Sequence, residues 1–142
     1  MFGLARTTPS TFILMGADAA HHPAIIRPST FMPLPAAKRS SVPKALSACP
    51  LDAPFLRMPN AAHSVHHDHA AAQEVVDKLL AFDGHPDVFV VLSHDGAMDP
   101  VDGQEGGIEF FPQSANDWKA KGWKEAMHWR FLEKGNRANR WE

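Results

Sequence analysis

The sequence predicts an α/β layer protein, and three observations carry that expectation. Residues 88–92, Val-Phe-Val-Val-Leu, form a continuous β-branched and aromatic run of the kind that suits a strand buried on both faces. An amphipathic pattern over residues 70–82 comes just before it, with Val75, Val76, Leu79, Leu80 and Phe82 on one side and Gln73, Asp77 and Lys78 spread elsewhere. A second apolar run, Phe12-Ile13-Leu14-Met15, lies far upstream, follows a polar turn and ends at Gly16 as a second buried strand. Helix, tight turn and buried strand make one α/β layer.

The remaining elements follow in order. Arg6 and the residues before it could belong to a preceding hairpin strand, which the few residues before them leave open. From residue 23 to residue 59 the chain carries eight of its twelve prolines. Proline removes ladder donors and interrupts helices, so residues 23–60 are expected to be a long, mostly irregular Pro-rich loop. Asp68 is the expected N-cap of the helix. Asp83-Gly84-His85-Pro86 should stop it, with Gly84 in the left-handed conformation that commonly follows a helix. Residues 108–111 read as another short apolar strand, and residues 116–123 as a short polar helix or turn. Trp129, Phe131 and Leu132 should pack the end of the chain.

Composition narrows the function. The chain has 142 residues, 44% hydrophobic and 21% charged, ordinary for a soluble globular domain with a core of its own. A net charge of -2 without a long basic run argues against nucleic acid as a partner. Arg130, Lys134, Arg137 and Arg140 gather near the end, but Glu133 and Glu142 dilute them into what reads as a solvated tail. Cys49 is the single cysteine, so a reducing compartment fits, and no base stands beside it to make it a nucleophile. No apolar run approaches a membrane span, and residues 1–10 lack the apolar core of a signal peptide. The expectation is a soluble, cytoplasmic protein with no membrane partner.

Nine histidines are many for this length. His21 and His22 are adjacent; His63, His66, His67 and His69 form a second group. The positions with most chemical meaning are Asp18 and His94. Each lies just beyond the carboxyl end of an expected buried strand, the edge at which α/β sheets bind ligands. Carboxylate and imidazole together suit zinc or a similar metal. The competing reading makes Asp18 a turn cap and His94 a satisfied strand-end histidine.

Three stretches resemble one known family. Gly16-Ala17-Asp18-Ala19-Ala20-His21-His22-Pro23, with Arg27-Pro28-Ser29 behind it, is similar to the Gly-x-Asp, His-pair and Arg-Pro pattern of fungal metallo-β-lactamase-fold hydrolases. Residues 87–95 resemble the strand leading to that family's last metal-binding histidine. Residues 116–123 and 128–132 resemble its C-terminal tail. The resemblance implies a four-layer αββα sandwich, of which residues 1–142 would be a single partial domain, the C-terminal half. It implies that Asp18 is the carboxylate bridging two zinc ions and His94 the final histidine ligand. The chemistry implied is metal-dependent hydrolysis of a small-molecule lactone, ester, thioester or β-lactam carbonyl, since the metals lower the pKa of a water and polarise the carbonyl.

Departures from the family pattern limit the expectation. The main ligand motif of the family, H-x-H-x-D-H, belongs to the other half, so two expected ligands remain here, against the three of a typical catalytic zinc. The chain is therefore expected to be inactive alone, and its enzyme status stays open. Ser64-Val65-His66-His67-Asp68-His69 resembles that motif with its first histidine replaced. Its place before a helix points instead to a polar helix start, with a metal cluster of His66, His67 and His69 as the minor alternative. His21 and His22 either line a pocket beside Asp18 or form a turn before Pro23. Arg27 either binds a substrate carboxylate or pairs with a nearby acid. Asp95 either orients His94 from behind or starts the next turn. Half a sandwich would expose one apolar sheet face, so self-association or docking of a missing N-terminal half is expected. The alternative to an enzyme part is a non-enzymatic remnant or His-rich binding module.

Overall fold

The structure, a computed structural model, describes residues 2–59, 66–98 and 114–133. Three strands, β1 (Gly3–Arg6), β2 (Phe12–Ala17) and β3 (Val88–Leu92), form one sheet in the order β1-β2-β3. β1 and β2 pair antiparallel as a hairpin, Leu4 opposite Leu14, and β2 and β3 run parallel, Leu14 opposite Val90. The connection between β2 and β3 carries the Pro-rich segment and then helix α1 (His69–Gly84). A second helix, α2 (Trp123–His128), sits near the end of the described chain. The expected strand at residues 108–111 lies outside the described residues, as does His63.

Alternation along β3 distributes its side chains to two separate cores. Val88, Val90 and Leu92 join Leu14 of β2 and Val76 and Leu79 of α1 in one apolar cluster. Phe89 turns the other way, against Trp118, Trp123 and Met127, with Ile13 and Val91 at the margin. The second face of the sheet is thus covered over β3 by α2 and the turn before it, where the sequence reading left it bare. Residues 123–128 are too short a run for helical periodicity to announce this cover. Trp118 has no exposed surface, and its indole N–H donates to Thr7 Oγ1 at 3.1 Å, joining this cover to the β1–β2 hairpin. Large apolar side chains remain open towards the β1 edge and along α1: Phe2, Leu4, Met15 and Phe82.

Helix α1 begins where its capping residue dictates. Asp68 is extended, and its Oδ1 accepts the Ala71 N–H at 2.9 Å. Its inward residues are Val76, Leu79 and Asp83, with Ala72 and Leu80 packed beside them, a 3–4 spacing along one face. Phe82, expected on that face, lies outside it, and Asp83 occupies the inward position. Gly84 also departs from expectation. It is the last residue of the helix rather than a left-handed residue beyond it. A Cβ at Gly84 would lie 2.4 Å from Phe31 Cβ and 2.9 Å from the Phe31 carbonyl oxygen, so the glycine is there for close packing.

Residues 23–59 contain three short 3-10 turns and one isolated bridge, Ser29 with Met32, but no α-helix. They are irregular yet packed. Ala24, Leu34, Leu46 and Phe55 bury themselves against Trp129, Phe131 and Leu132, which close the end of the chain as expected. Arg130, expected in a solvated tail, is buried beside Met127, its Nη1 3.0 Å from Sδ.

The Gly84 contact carries an unusual sign. Replacing glycine by alanine in a helix ordinarily gains up to about 1 kcal/mol. Here Gly84→Ala is expected to lower the urea midpoint, because the Phe31 backbone must move. A variant as stable as the parent, or more so, would show that the contact with Phe31 is loose.

Candidate metal centre

The site is made where β2 and β3 end. The pairing of Met15 with Val91 and of Ala17 with Leu92 leaves Gly16 as an extra residue in β2. A Cβ at Gly16 would fall 2.8 Å from Leu92 Cδ2, so glycine lets the two strands close at the bulge. Ala17 then adopts φ 47°, a left-handed conformation that costs an L-residue roughly 1–2 kcal/mol. Bulges of this kind re-aim side chains at the ends of sheets. The Ser93 N–H donates to the Ala17 carbonyl at 3.1 Å, closing the ladder, and the next residue on each strand, Asp18 and His94, leaves the sheet together.

Their side chains meet. His94 Nε2 lies 3.1 Å from Asp18 Oδ1, with both side chains more than half exposed. His21 joins them through the turn after Asp18: its ring centroid is 4.8 Å from that of His94 and 5.7 Å from that of His66. One donor atom from each of Asp18, His21 and His94 lies within 4.8 Å of the others, the one such trio among the described residues. His22 takes the opposite role. Its Nδ1 accepts the Ala24 N–H at 3.0 Å, capping the turn Pro23–Ile25 that carries the chain into the core. Of the histidine pair, His22 thus forms the turn before Pro23, while His21 stands beside Asp18 and His94.

A cleft of about 480 Å³ opens beside Asp18. Phe2, Ala71, Ala72 and Val75 line it with apolar side chains, and His66, His67 and Asp68 with polar ones. His69 turns away and bonds the Met58 carbonyl through Nε2 at 3.3 Å. Hence His66, His67 and His69 are not gathered as one cluster, and two of them face the cleft of Asp18 instead.

Arg27 and Asp95 are not pocket residues. Arg27 is 1% exposed and donates through Nε and Nη2 to both oxygens of Asp83, at 3.0 and 2.9 Å, and through Nη1 to Asp95 at 3.1 Å. Asp95 spends its other oxygen on the Ala97 N–H at 3.0 Å, so it braces the loop after β3 without touching the His94 ring. Burial opposes the charge on Arg27, but Asp83 and Asp95 outweigh it and hold the guanidinium ionised. Burial likewise pushes Asp83 up, and the Arg27 guanidinium brings it below the usual carboxylate range. His128, buried against this group, has its pKa lowered to about 3, by burial first and by Arg27 next. It is neutral at pH 7, so its Nε2, 3.4 Å from Asp83 Oδ2, makes a dipolar contact and not an ion pair. Lys124 is brought down to about 8, chiefly by burial, while its Nζ donates to the His85 and Val88 carbonyls at 2.7 Å each. Arg27 was placed near the site by sequence; Asp83, His128 and Lys124 were not, because they come together only from distant elements.

Comparison with known proteins gives the strand-end pair its context. The chain is 33% identical over 146 residues to the gamma-lactamase FDB1 of Fusarium pseudograminearum, 92% of this chain and 34% of that protein. It is 34% identical over 140 residues to the metallo-hydrolase mfmC of Annulohypoxylon moriforme, 90% of this chain and 35% of that protein. Over about nine-tenths of its length the chain is thus similar to proteins named gamma-lactamase and metallo-hydrolase. It spans about a third of the length of these two relatives. A cytochrome P450 monooxygenase, mpaDE of Penicillium roqueforti, is also 32% identical over 130 residues, but these make up 14% of that protein, whose name describes a far longer chain. No family model matches the chain, and no solved structure matches it significantly. The chain's mixed sheet with helices matches the α/β class expected. No helix among its described residues is long and apolar enough to cross a membrane.

Two outcomes test the buried network. Arg27→Met leaves Asp83 and Asp95 buried without their cation and is expected to lower stability by about 3–5 kcal/mol in urea unfolding; a loss below about 1 kcal/mol would mean the carboxylates find other partners. His128 has a folded pKa of about 3 against an ordinary 6.5, so the unfolded chain binds a proton that the folded one refuses. Its contribution is therefore complete above pH 6.5 and is lost as pH falls towards 3, at up to about 1.4 kcal/mol per pH unit. The His128→Asn variant should show a shallower acid slope in that window, and an unchanged slope would refute the assignment.

Proposed function

We propose that this chain contributes Asp18 and His94 to the centre of a zinc-dependent hydrolase acting on a carbonyl compound. The observation that carries the reading is the meeting of these two side chains, 3.1 Å apart, at the carboxyl ends of adjacent parallel strands and beside a cleft. The donors present fit the metal: zinc takes carboxylate oxygen and imidazole nitrogen at about 2.0–2.2 Å. An exposed Asp–His pair contributes little to stability, so packing gives no separate reason for a strained bulge to deliver Asp18 here.

When bound, the metal would lower the pKa of a water and polarise a carbonyl oxygen. The chain's own residues hold and shape the rest. Asp18 and His94 would hold the ion. Phe2, Ala71, Ala72 and Val75 receive the hydrocarbon part of a substrate, and His66 and His67 line the same cleft with polar groups for a polar substituent. The gamma-lactamase relatives direct the choice of substrate towards cyclic amides, with lactones and esters as the nearest analogues. The other donors of a two-metal centre would come from the portion of the relatives that this chain does not match.

Zinc content after reconstitution and gel filtration tests the reading. The chain is expected to retain zinc, and both Asp18→Asn and His94→Ala to lose it. Supplying the unmatched portion of the Fusarium gamma-lactamase should then yield γ-lactam hydrolysis that either substitution abolishes. Zinc retained equally by both variants would overturn the proposal.

A further inference from the structure

We propose that His21 is a third metal ligand, so that this stretch of chain holds one zinc ion by itself through Asp18, His21 and His94. The inference rests on the reading of Asp18 and His94 as ligands and adds a donor to it. Three protein donors and an open position are the usual ligand set of a catalytic zinc, whereas two hold the ion weakly.

Geometry carries the argument. The three donor atoms lie within 4.8 Å of one another. At zinc–ligand lengths of about 2.0–2.2 Å, two donors on one ion are at most about 4.4 Å apart. Asp18 and His94 already satisfy that limit, and His21 is exposed, so a small rotation of its side chain closes the difference. The backbone beneath it is firmly held. Residues 23–29 are all buried, the Ile25 N–H donates to the His22 carbonyl at 3.0 Å, and the Leu56 N–H donates to the Ala24 carbonyl at 2.9 Å. A ligand on such a base is positioned before the metal arrives. His22 is committed to the cap of the following turn, so the adjacent histidines are not interchangeable. His21 also packs its ring beside that of His94, with 42° between the planes, an arrangement that brings nitrogen donors together without burying either ring.

Cobalt(II) titration of the full 142-residue chain, followed in the visible band of the metal, tests the inference. One equivalent should bind, and zinc should displace it. Asp18→Asn, His94→Ala and His21→Ala should each weaken binding at least tenfold, with far-UV circular dichroism unchanged because all three side chains are exposed. His67→Ala removes a histidine that lines the cleft and should leave affinity within twofold. The decisive variant is His21→Cys, which should restore binding and add a thiolate-to-cobalt charge-transfer band that the parent lacks. If Asp18→Asn and His94→Ala weaken binding but His21→Ala does not, or if His21→Cys gives no such band, His21 is not a ligand and the two-residue reading stands alone. If none of the three substitutions matters, both readings fall together.

Discussion

The ion pair of Arg27 with Asp83 and Asp95 is the interaction on which the rest of the molecule depends. Its three residues come from three segments: the chain just after His21 and His22, the end of α1, and the loop just after His94. A guanidinium has a planar fork of donors, and here both carboxylate oxygens of Asp83 and one of Asp95 are in reach. No hydrophobic contact could set three backbones at such defined angles, because dispersion is not directional. The cost of drawing these charges out of water is large, and satisfied hydrogen bonds offset it. The gain is positional: the segments that carry His21 and His94 are tied to one buried point.

Above that point, the surface is built from strain and exposure. The bulge at Gly16 and the left-handed Ala17 turn Asp18 out of the ladder at the level where β3 ends in His94. Strained backbone persists only where surrounding packing over-determines it. Here that packing is the closure of Gly16 on Leu92 and the Ser93–Ala17 hydrogen bond. Stability therefore resides in the buried layer, and the candidate ligands stand in the exposed one. The two share a backbone but hardly share side chains.

The core elements were readable in the sequence because their signals are local. Strand β3 is a continuous apolar run, α1 has a 3–4 apolar spacing with an aspartate before it, and Asp18 and His94 follow apolar runs by three and two residues. Helix α2 was not readable, since lysine, glutamate and histidine fill three of its six positions, and its burial depends on Phe89 across the sheet. Gly84 was misread for a related reason. A glycine after a helical run usually marks a left-handed turn, and nothing nearby in sequence announces Phe31, which approaches from the Pro-rich segment.

Sequence alone determined the α/β class, the helix and strands that bear the site, and the metallo-β-lactamase-type resemblance, all of which rest on residues within a few positions of one another. Only the tertiary structure decided which histidines meet. His21 reached Asp18 and His94 while His22 capped a turn, His69 turned to Met58, and Arg27 went to the core. The physical reason is range: periodicity and capping act within a turn or two of chain, but a ligand set or a buried ion pair is chosen by which distant segments the packed core brings within a few ångströms.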